Sequence, residues 1–265
     1  MPETDGPITV RTLAAMKKRG ERITMLTAYD YPTALLLDRS GIDCLLVGDS
    51  LGMVVQGHKT TVSVTLEQII YHGEMVARAA VRSMVIVDLP FPIGQVSVPH
   101  TVECAARIMK ETRCHAVKME GGHQQSDAIR AMVDAGIPTI AHIGLRPQSV
   151  HALGGYRVQK DGERLMRDAL AAQNAGAFAI VIECVPAELA LEVTNKLHTP
   201  TIGIGAGAGC DGQVLVTNDM LGWNSGYIPK FVRQFADLQT RAAQAVADFR
   251  NQVRDGGFPG PKETF

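Results

Sequence analysis

Residues 84–120 read MVIVDLPFPIGQVSVPHTVECAARIMKETRCHAVKME. An apolar run at 84–87 stops at Asp88, an amphipathic stretch of helical period occupies 102–111, and a second apolar run at 116–119 stops at Glu120. Short apolar runs without alternation are the pattern of strands covered on both faces, and a helix between two of them makes a parallel crossover. The segment therefore predicts strand, helix, strand, with a carboxylate at the end of each strand.

The same pattern extends in both directions. Apolar runs occupy 23–28 and 44–47 before this unit, and 139–143, 178–182, 201–204 and 213–216 after it. Helical periodicity fills 66–80, 125–135, 163–175 and 187–197. Thr9 opens a lead-in helix that ends in Lys17-Lys18-Arg19-Gly20, a cap at one end and cations with glycine at the other. Residues 231–253 read as a long closing helix, and the Gly/Pro-rich tail 255–265 as a peripheral segment. Eight strands alternating with helices in 265 residues favour a (β/α)8 TIM barrel, as a single domain over 1–265, above an open doubly wound sheet. One spacing strains the pattern. The last two strands begin about a dozen residues apart, too few for a crossover helix, so either that helix is shortened or the last strand is misread.

Composition narrows the function classes. With 46% hydrophobic and 20% charged residues the chain is neither disordered nor fibrous. A formal net charge of −1 and no run of like charge exclude a basic footprint for nucleic acid. No apolar run reaches about 18 residues, and the start MPETDGPITV is acidic, so neither a membrane span nor a secretory signal is expected. Five scattered cysteines without a C-x-x-C pair indicate neither a disulfide framework nor a zinc knuckle, and fit a reducing compartment such as the cytoplasm.

In a barrel the chemistry sits at the carboxyl ends of the strands. There the sequence places Tyr29-Asp30, Gly48-Asp49-Ser50, Asp88, Lys118 with Glu120, His142 and Glu183. Asp49 and Asp88 come from neighbouring strands and would form a hard oxygen site suited to Mg²⁺; alternatively, each caps a following helix or turn. Lys118 and Glu120 alternate along one strand and share a face. Lys118 then binds a carboxylate or enolate, forms a Schiff base, or makes a structural ion pair. His142 is a metal-site neighbour, a hydrogen-bond donor or a satisfied core histidine. Glu183, a carboxylate after a buried strand, fits a general base. His58 and His72 flank the second connection and fit surface or capping duty. Residues 207–212 match G-x-G-x-x-G, but a strand follows rather than a helix, so a dinucleotide site is rejected.

The stretches ITMLTAYDY, LLVGDSLGMVVQGH, VDLPF, VKMEGG, AHIGLRPQSV, GGYRVQ, IECVP and GIGAGAGCDGQVLV, in this order, resemble the ketopantoate hydroxymethyltransferase family. The resemblance spans residues 9–231, and GDSLGM with K-x-E-G-G carries most of its specificity. It implies a (β/α)8 barrel related to the phosphoenolpyruvate and isocitrate lyase group, a homo-oligomer such as a decamer, and dependence on Mg²⁺. It further implies transfer of a one-carbon unit from 5,10-methylenetetrahydrofolate to 3-methyl-2-oxobutanoate, giving 2-dehydropantoate. By the same resemblance Asp49 and Asp88 are metal ligands, and Glu120 a ligand through metal-bound water. Ser50 contacts the substrate carboxylate, Lys118 faces the 2-oxo acid, Glu183 is the base, and His142 is the histidine of the fifth strand. Two positions depart from the family pattern: Pro92-Ile93-Gly94 where a Met-Ser-Tyr-like run is usual, and Asn218-Asp219 where a His-Asp pair is usual.

Two other readings stand beside this one. The same barrel would serve a folate-independent, metal-dependent lyase or aldolase on a 2-oxo acid, which a folate-omission assay separates. A catalytically silent scaffold is the third, and retention of Asp49, Asp88, Lys118 and Glu183 argues against it because charges inside a barrel cost stability unless used or paired.

Overall fold

Each apolar run is a strand, and each strand pairs in parallel with the next in chain order until the eighth closes on the first. The computed structural model describes residues 6–223 and 226–265. The strands are β1 (Ile23–Thr27), β2 (Cys44–Val47), β3 (Met84–Asp88), β4 (Ala116–Glu120), β5 (Thr139–Gly144), β6 (Ala179–Glu183), β7 (Thr201–Ile204) and β8 (Gly212–Leu215). The helices are α1 (Val10–Arg19), α2 (Tyr31–Arg39), α3 (Leu51–Val54), α4 (Leu66–Ala79), α5 (Ile93–Val96) and α6 (Val98–Thr112), followed by α7 (Ser126–Asp134), α8 (Val150–Leu153), α9 (Gly162–Asn174), α10 (Ala187–Lys196), α11 (Thr217–Met220) and α12 (Leu238–Arg254). The chain divides into two compact units, residues up to Leu215 and residues from Val216 onward.

The first unit is the barrel. Alternate strand residues point inward, and Met25, Leu46, Ile86, Ile140, Val181, Ile202 and Val214 meet there in one apolar cluster. Ile8, Leu13 and Met16 join the same cluster, so α1 and its lead-in plug the end of the barrel where the strands begin. Thr9 caps α1 as expected: its side chain accepts from the Thr12 amide at 3.2 Å, and Gly20 ends the helix at φ 69°. The outward positions Val85, Val87, Val117 and Ile180 are also buried, which is why the strands read as unbroken apolar runs.

Besides shifts of a few residues at several element ends, the structure departs from the sequence reading at the β7–β8 connection, after β1 and at the closing helix. No helix joins β7 to β8; the strands pair directly, Ile202 against Gly212, across a tight glycine-rich loop. The strand assignment was right and the crossover is simply absent. Gly212 starts β8 because a Cβ there would lie 2.5 Å from the Ile23 carbonyl oxygen. A helix not anticipated, α2, follows β1; its signals were Asp30, which accepts from the Thr33 amide at 2.8 Å, and Pro32 in its first turn. The closing helix starts at Leu238, not at 231, because Asp237 caps it by accepting from the Thr240 amide.

In the second unit the amide of Leu238 donates to the Leu221 carbonyl at 3.1 Å and that of Phe235 to Met220 at 2.8 Å, which ties the start of α12 to α11. Phe249 and Phe258 meet edge to face at 5.4 Å. None of the side chains of α12 is buried, and residues 255–265 are almost wholly exposed.

Candidate active site

The period of two that builds the apolar core also delivers charge to its open end. Asp88 lies two residues beyond Ile86, Lys118 two beyond Ala116, His142 two beyond Ile140 and Glu183 two beyond Val181, so all four share the inward face with Glu120. Strand pairing sets them side by side, with Asp88 opposite Lys118 and Glu120 opposite His142. Asp49 and Ser50 lie in the turn after β2, at the entry to α3. The structure thus brings together the carboxylates and the cation that the sequence singled out. Asp30, by contrast, faces the start of α2 as its cap.

Lys118 Nζ donates to Asp88 Oδ1 at 2.6 Å, and the backbone amide of Asp49 donates to Asp88 Oδ2 at 3.1 Å. Gln148, in the turn after β5, donates through its carboxamide to Asp49 Oδ2 and to the Leu89 carbonyl, both at 2.9 Å. Its backbone amide is shared between the two oxygens of Glu120 at 3.2 and 3.1 Å. Ser50 Oγ is 2.7 Å from the Tyr29 hydroxyl, and His72 Nδ1 is 2.6 Å from the Tyr29 carbonyl oxygen. His142 Nε2 lies 3.1 Å from Glu183 Oε2 but off the line of a hydrogen bond, so both buried ring nitrogens remain without a hydrogen-bond partner. Buried polar atoms are rarely left so, and an orphaned pair beside a carboxylate marks a place for a ligand. Gly144, at φ 84°, lets β5 approach β6 here; a Cβ would sit 2.4 Å from the Glu183 carbonyl oxygen.

The electrostatics are lopsided. Four carboxylates, Asp49, Asp88, Glu120 and Glu183, share one buried cation, Lys118. Burial, with Asp88 beside it, pushes the Asp49 carboxyl up to about 7 against the pull of Lys118 and Gln148. Burial and the Asp49 charge likewise raise Glu120 well above the usual carboxylate range. Burial alone would lower the Lys118 ammonium, but Asp88, Asp49 and Glu120 hold it above its usual value. The site is short of positive charge. Among the described residues no three His, Cys, Asp or Glu side chains form a ready metal cage. What the all-oxygen donors Asp49 and Asp88 fit is a small hard cation that takes one or two carboxylates and leaves its other positions to water and substrate, the habit of Mg²⁺.

Two residues at this mouth were given no role by the sequence reading, although they lie in the quoted stretches AHIGLRPQSV and GGYRVQ. Gln148 is an amide in a turn, and only the fold brings it to residues 28 and 99 positions away. The Tyr156 hydroxyl approaches Met53 Sδ at 3.7 Å, and burial together with the charges of Glu183, Asp49 and Glu120 raises its pKa. A groove of about 780 Å³ between α9 and α10, lined by His123, Glu163, Arg167, Leu170, Asn174 and Glu192, contains none of the site residues. The glycines at 207–212 run into a strand, not the helix a dinucleotide fold needs. No helix among the described residues is long and apolar enough to cross a membrane.

Comparison with known proteins gives one consistent pattern. A family model described as ketopantoate hydroxymethyltransferase matches residues 7–261. A 3-methyl-2-oxobutanoate hydroxymethyltransferase of Rhodopirellula baltica is 59% identical over 97% of this chain and 96% of its own length. One of the same name from Desulforapulum autotrophicum is 55% identical over 97% and 98%. Among solved structures, 2,3-dimethylmalate lyase, a PEP mutase/isocitrate lyase superfamily member, superposes with a TM-score of 0.59 at 18% identity, over 97% of this chain and 91% of that one. At that identity the likeness speaks for the barrel alone.

Proposed function

Because the chain belongs to the ketopantoate hydroxymethyltransferase family, we propose that it transfers a hydroxymethyl group from 5,10-methylenetetrahydrofolate to 3-methyl-2-oxobutanoate, forming 2-dehydropantoate. The observation that carries this reading is the buried cluster of Asp49, Asp88 and Glu120 around Lys118, a site with more negative charge than its one cation balances.

Asp49 and Asp88 would hold Mg²⁺, with Glu120 reaching it through water. Bound there, the cation supplies a Lewis acid that draws electron density from the 2-oxo acid. Lys118 adds a fixed positive charge where negative charge grows on the substrate oxygen, and low surrounding polarity strengthens its effect. Asp88 holds the ammonium by its 2.6 Å contact and keeps it protonated. Ser50, oriented by Tyr29, donates to the substrate carboxylate. Glu183 takes the proton from the carbon beside the keto group, and His142, 3.1 Å away, faces the carboxyl that receives it. Water adding to the methylene carbon of the folate breaks its C–N bonds and releases tetrahydrofolate, leaving formaldehyde; the carbon nucleophile adds to that carbonyl, and the proton held by Glu183 returns to the new alkoxide to give the hydroxymethyl group. The reading places the enzyme in the cytoplasm as a homo-oligomer, a decamer by family likeness. The exposed apolar stripe Val246, Phe249 and Val253 on α12 is a surface suited to such association.

The test is 2-dehydropantoate formation with Mg²⁺, with chelator, and with folate omitted. Product that needs both is expected, together with loss of turnover in Glu183→Gln. Product formed without folate would replace the transferase with a lyase or aldolase.

A further inference from the structure

Gln148 links three strand ends of the acidic site through its side chain and its backbone amide. It lies on the turn Pro147–Ser149 and is 6% exposed. Its carboxamide bridges Asp49, beyond β2, and the Leu89 carbonyl, beyond β3, while its backbone amide serves Glu120 at the end of β4. Both side-chain partners are acceptors, one a carboxylate oxygen and one a carbonyl, so only the NH2 end of the amide fits between them, and both of its protons are used. Leu89 follows Asp88 directly, and its own amide donates to the Lys118 carbonyl at 2.8 Å. One neutral side chain therefore fixes the spacing between the turn bearing Asp49 and the segment bearing Asp88.

Neutrality matters as much as reach. A lysine or arginine in this place would also satisfy Asp49, but its charge would repel a divalent cation. Gln148 donates to Oδ2 of Asp49 without bringing a charge into the site. Partners that orient metal-binding carboxylates in this way commonly set affinity without touching the ion. We propose that Gln148 is a positioning residue that presets Asp49 and Glu120 for a divalent cation and so determines how tightly the site binds it. The proposal rests on the reading of Asp49 and Asp88 as the cation's ligands.

Two variants of similar length separate positioning from charge. Gln148→Met removes both donors at nearly constant volume, and Gln148→Glu replaces the amide with a carboxylate. Mn²⁺ serves as the probe, titrated into the substrate-free protein and followed by electron paramagnetic resonance of the free ion, with thermal unfolding of the metal-free form as a control. Both variants are expected to bind Mn²⁺ about 10- to 100-fold more weakly than the unaltered protein. Turnover should recover at high Mg²⁺, and metal-free unfolding should change little. Were charge alone to govern affinity, Gln148→Glu would bind more tightly; that result, or unchanged binding in Gln148→Met, overturns the proposal. If Gln148→Met fails to fold, the Gln148→Glu arm decides alone. Absence of Mn²⁺ binding by the unaltered protein, or binding indifferent to Asp88→Ala, would instead remove the cation reading and this inference with it.

Discussion

Two aspartate–lysine pairs sit at opposite ends of the same barrel. At the plugged end Lys17 of α1 meets Asp211 at 2.7 Å; at the open end Lys118 meets Asp88 at 2.6 Å. The contact is nearly the same and the surroundings are not. Asp211 also accepts from the amide and hydroxyl of Thr201 at 2.8 and 3.1 Å, and Lys17 donates to the Thr194 carbonyl at 3.1 Å, so the pair is held by fixed neutral partners. Asp88 and Lys118 are buried more deeply and share their space with Asp49 and Glu120, both held above the usual carboxylate range. A closed pair of opposite charges holds elements together. An open one, with carboxylates to spare, awaits a ligand.

The largest effect expected from breaking this contrast is in Asp88→Ala. It should lower turnover by about 10²- to 10³-fold and abolish the response to Mg²⁺. A steady-state titration of Mg²⁺ checks it, and normal metal-dependent turnover would contradict the role given to Asp88. Asp211→Ala should do the reverse. Stranding Lys17 and the Thr201 amide is expected to cost about 3 kcal/mol in denaturant unfolding, while turnover of the folded enzyme stays near normal. A comparable loss of activity would mean that the two ends are not separable.

A smaller effect sharpens the picture of the plugged end. Asp38 is buried, which by itself would raise its pKa, but the amides of Ser83, Val81 and Arg82 outweigh this and hold it below the usual value. Its folded pKa lies below its unfolded one, so its contribution is present above about pH 4 and is lost as pH falls through the folded value. Asp38→Asn should therefore flatten the acid side of the stability profile by about 1 to 2 kcal/mol, measured by unfolding across pH 3 to 7. The smallest effect is Thr9→Ala, which uncaps the helix that carries Lys17. About 1 kcal/mol should disappear from thermal stability without change in KM or kcat.

Much of this was legible in the chain itself. The runs at 44–47 and 201–204 are strands to the residue, because strands covered on both faces read as short, nearly continuous apolar runs. Period two then fixed that Lys118 and Glu120 share a face, and the order of strands placed Asp88 beside them. The caps Thr9 and Asp237 act locally and were written locally, although the apolar residues before Asp237 drew the helix start seven residues too early.

What the sequence could not supply depends on contacts between distant residues. The spacing of β7 and β8 already left too little chain for a crossover helix, but that the last strand is real and that Gly212 approaches the Ile23 carbonyl oxygen only the closed barrel decides. Gln148 is one amide among many until the turn after β5 folds back over the ends of β2, β3 and β4. The raised carboxyls of Asp49 and Glu120 likewise exist only when burial removes water and the fold sets like charges together. Periodicity and end groups, which need only neighbours along the chain, were determined by the sequence. Pairing distance, burial and charge balance, which need neighbours in space, were decided by the tertiary structure.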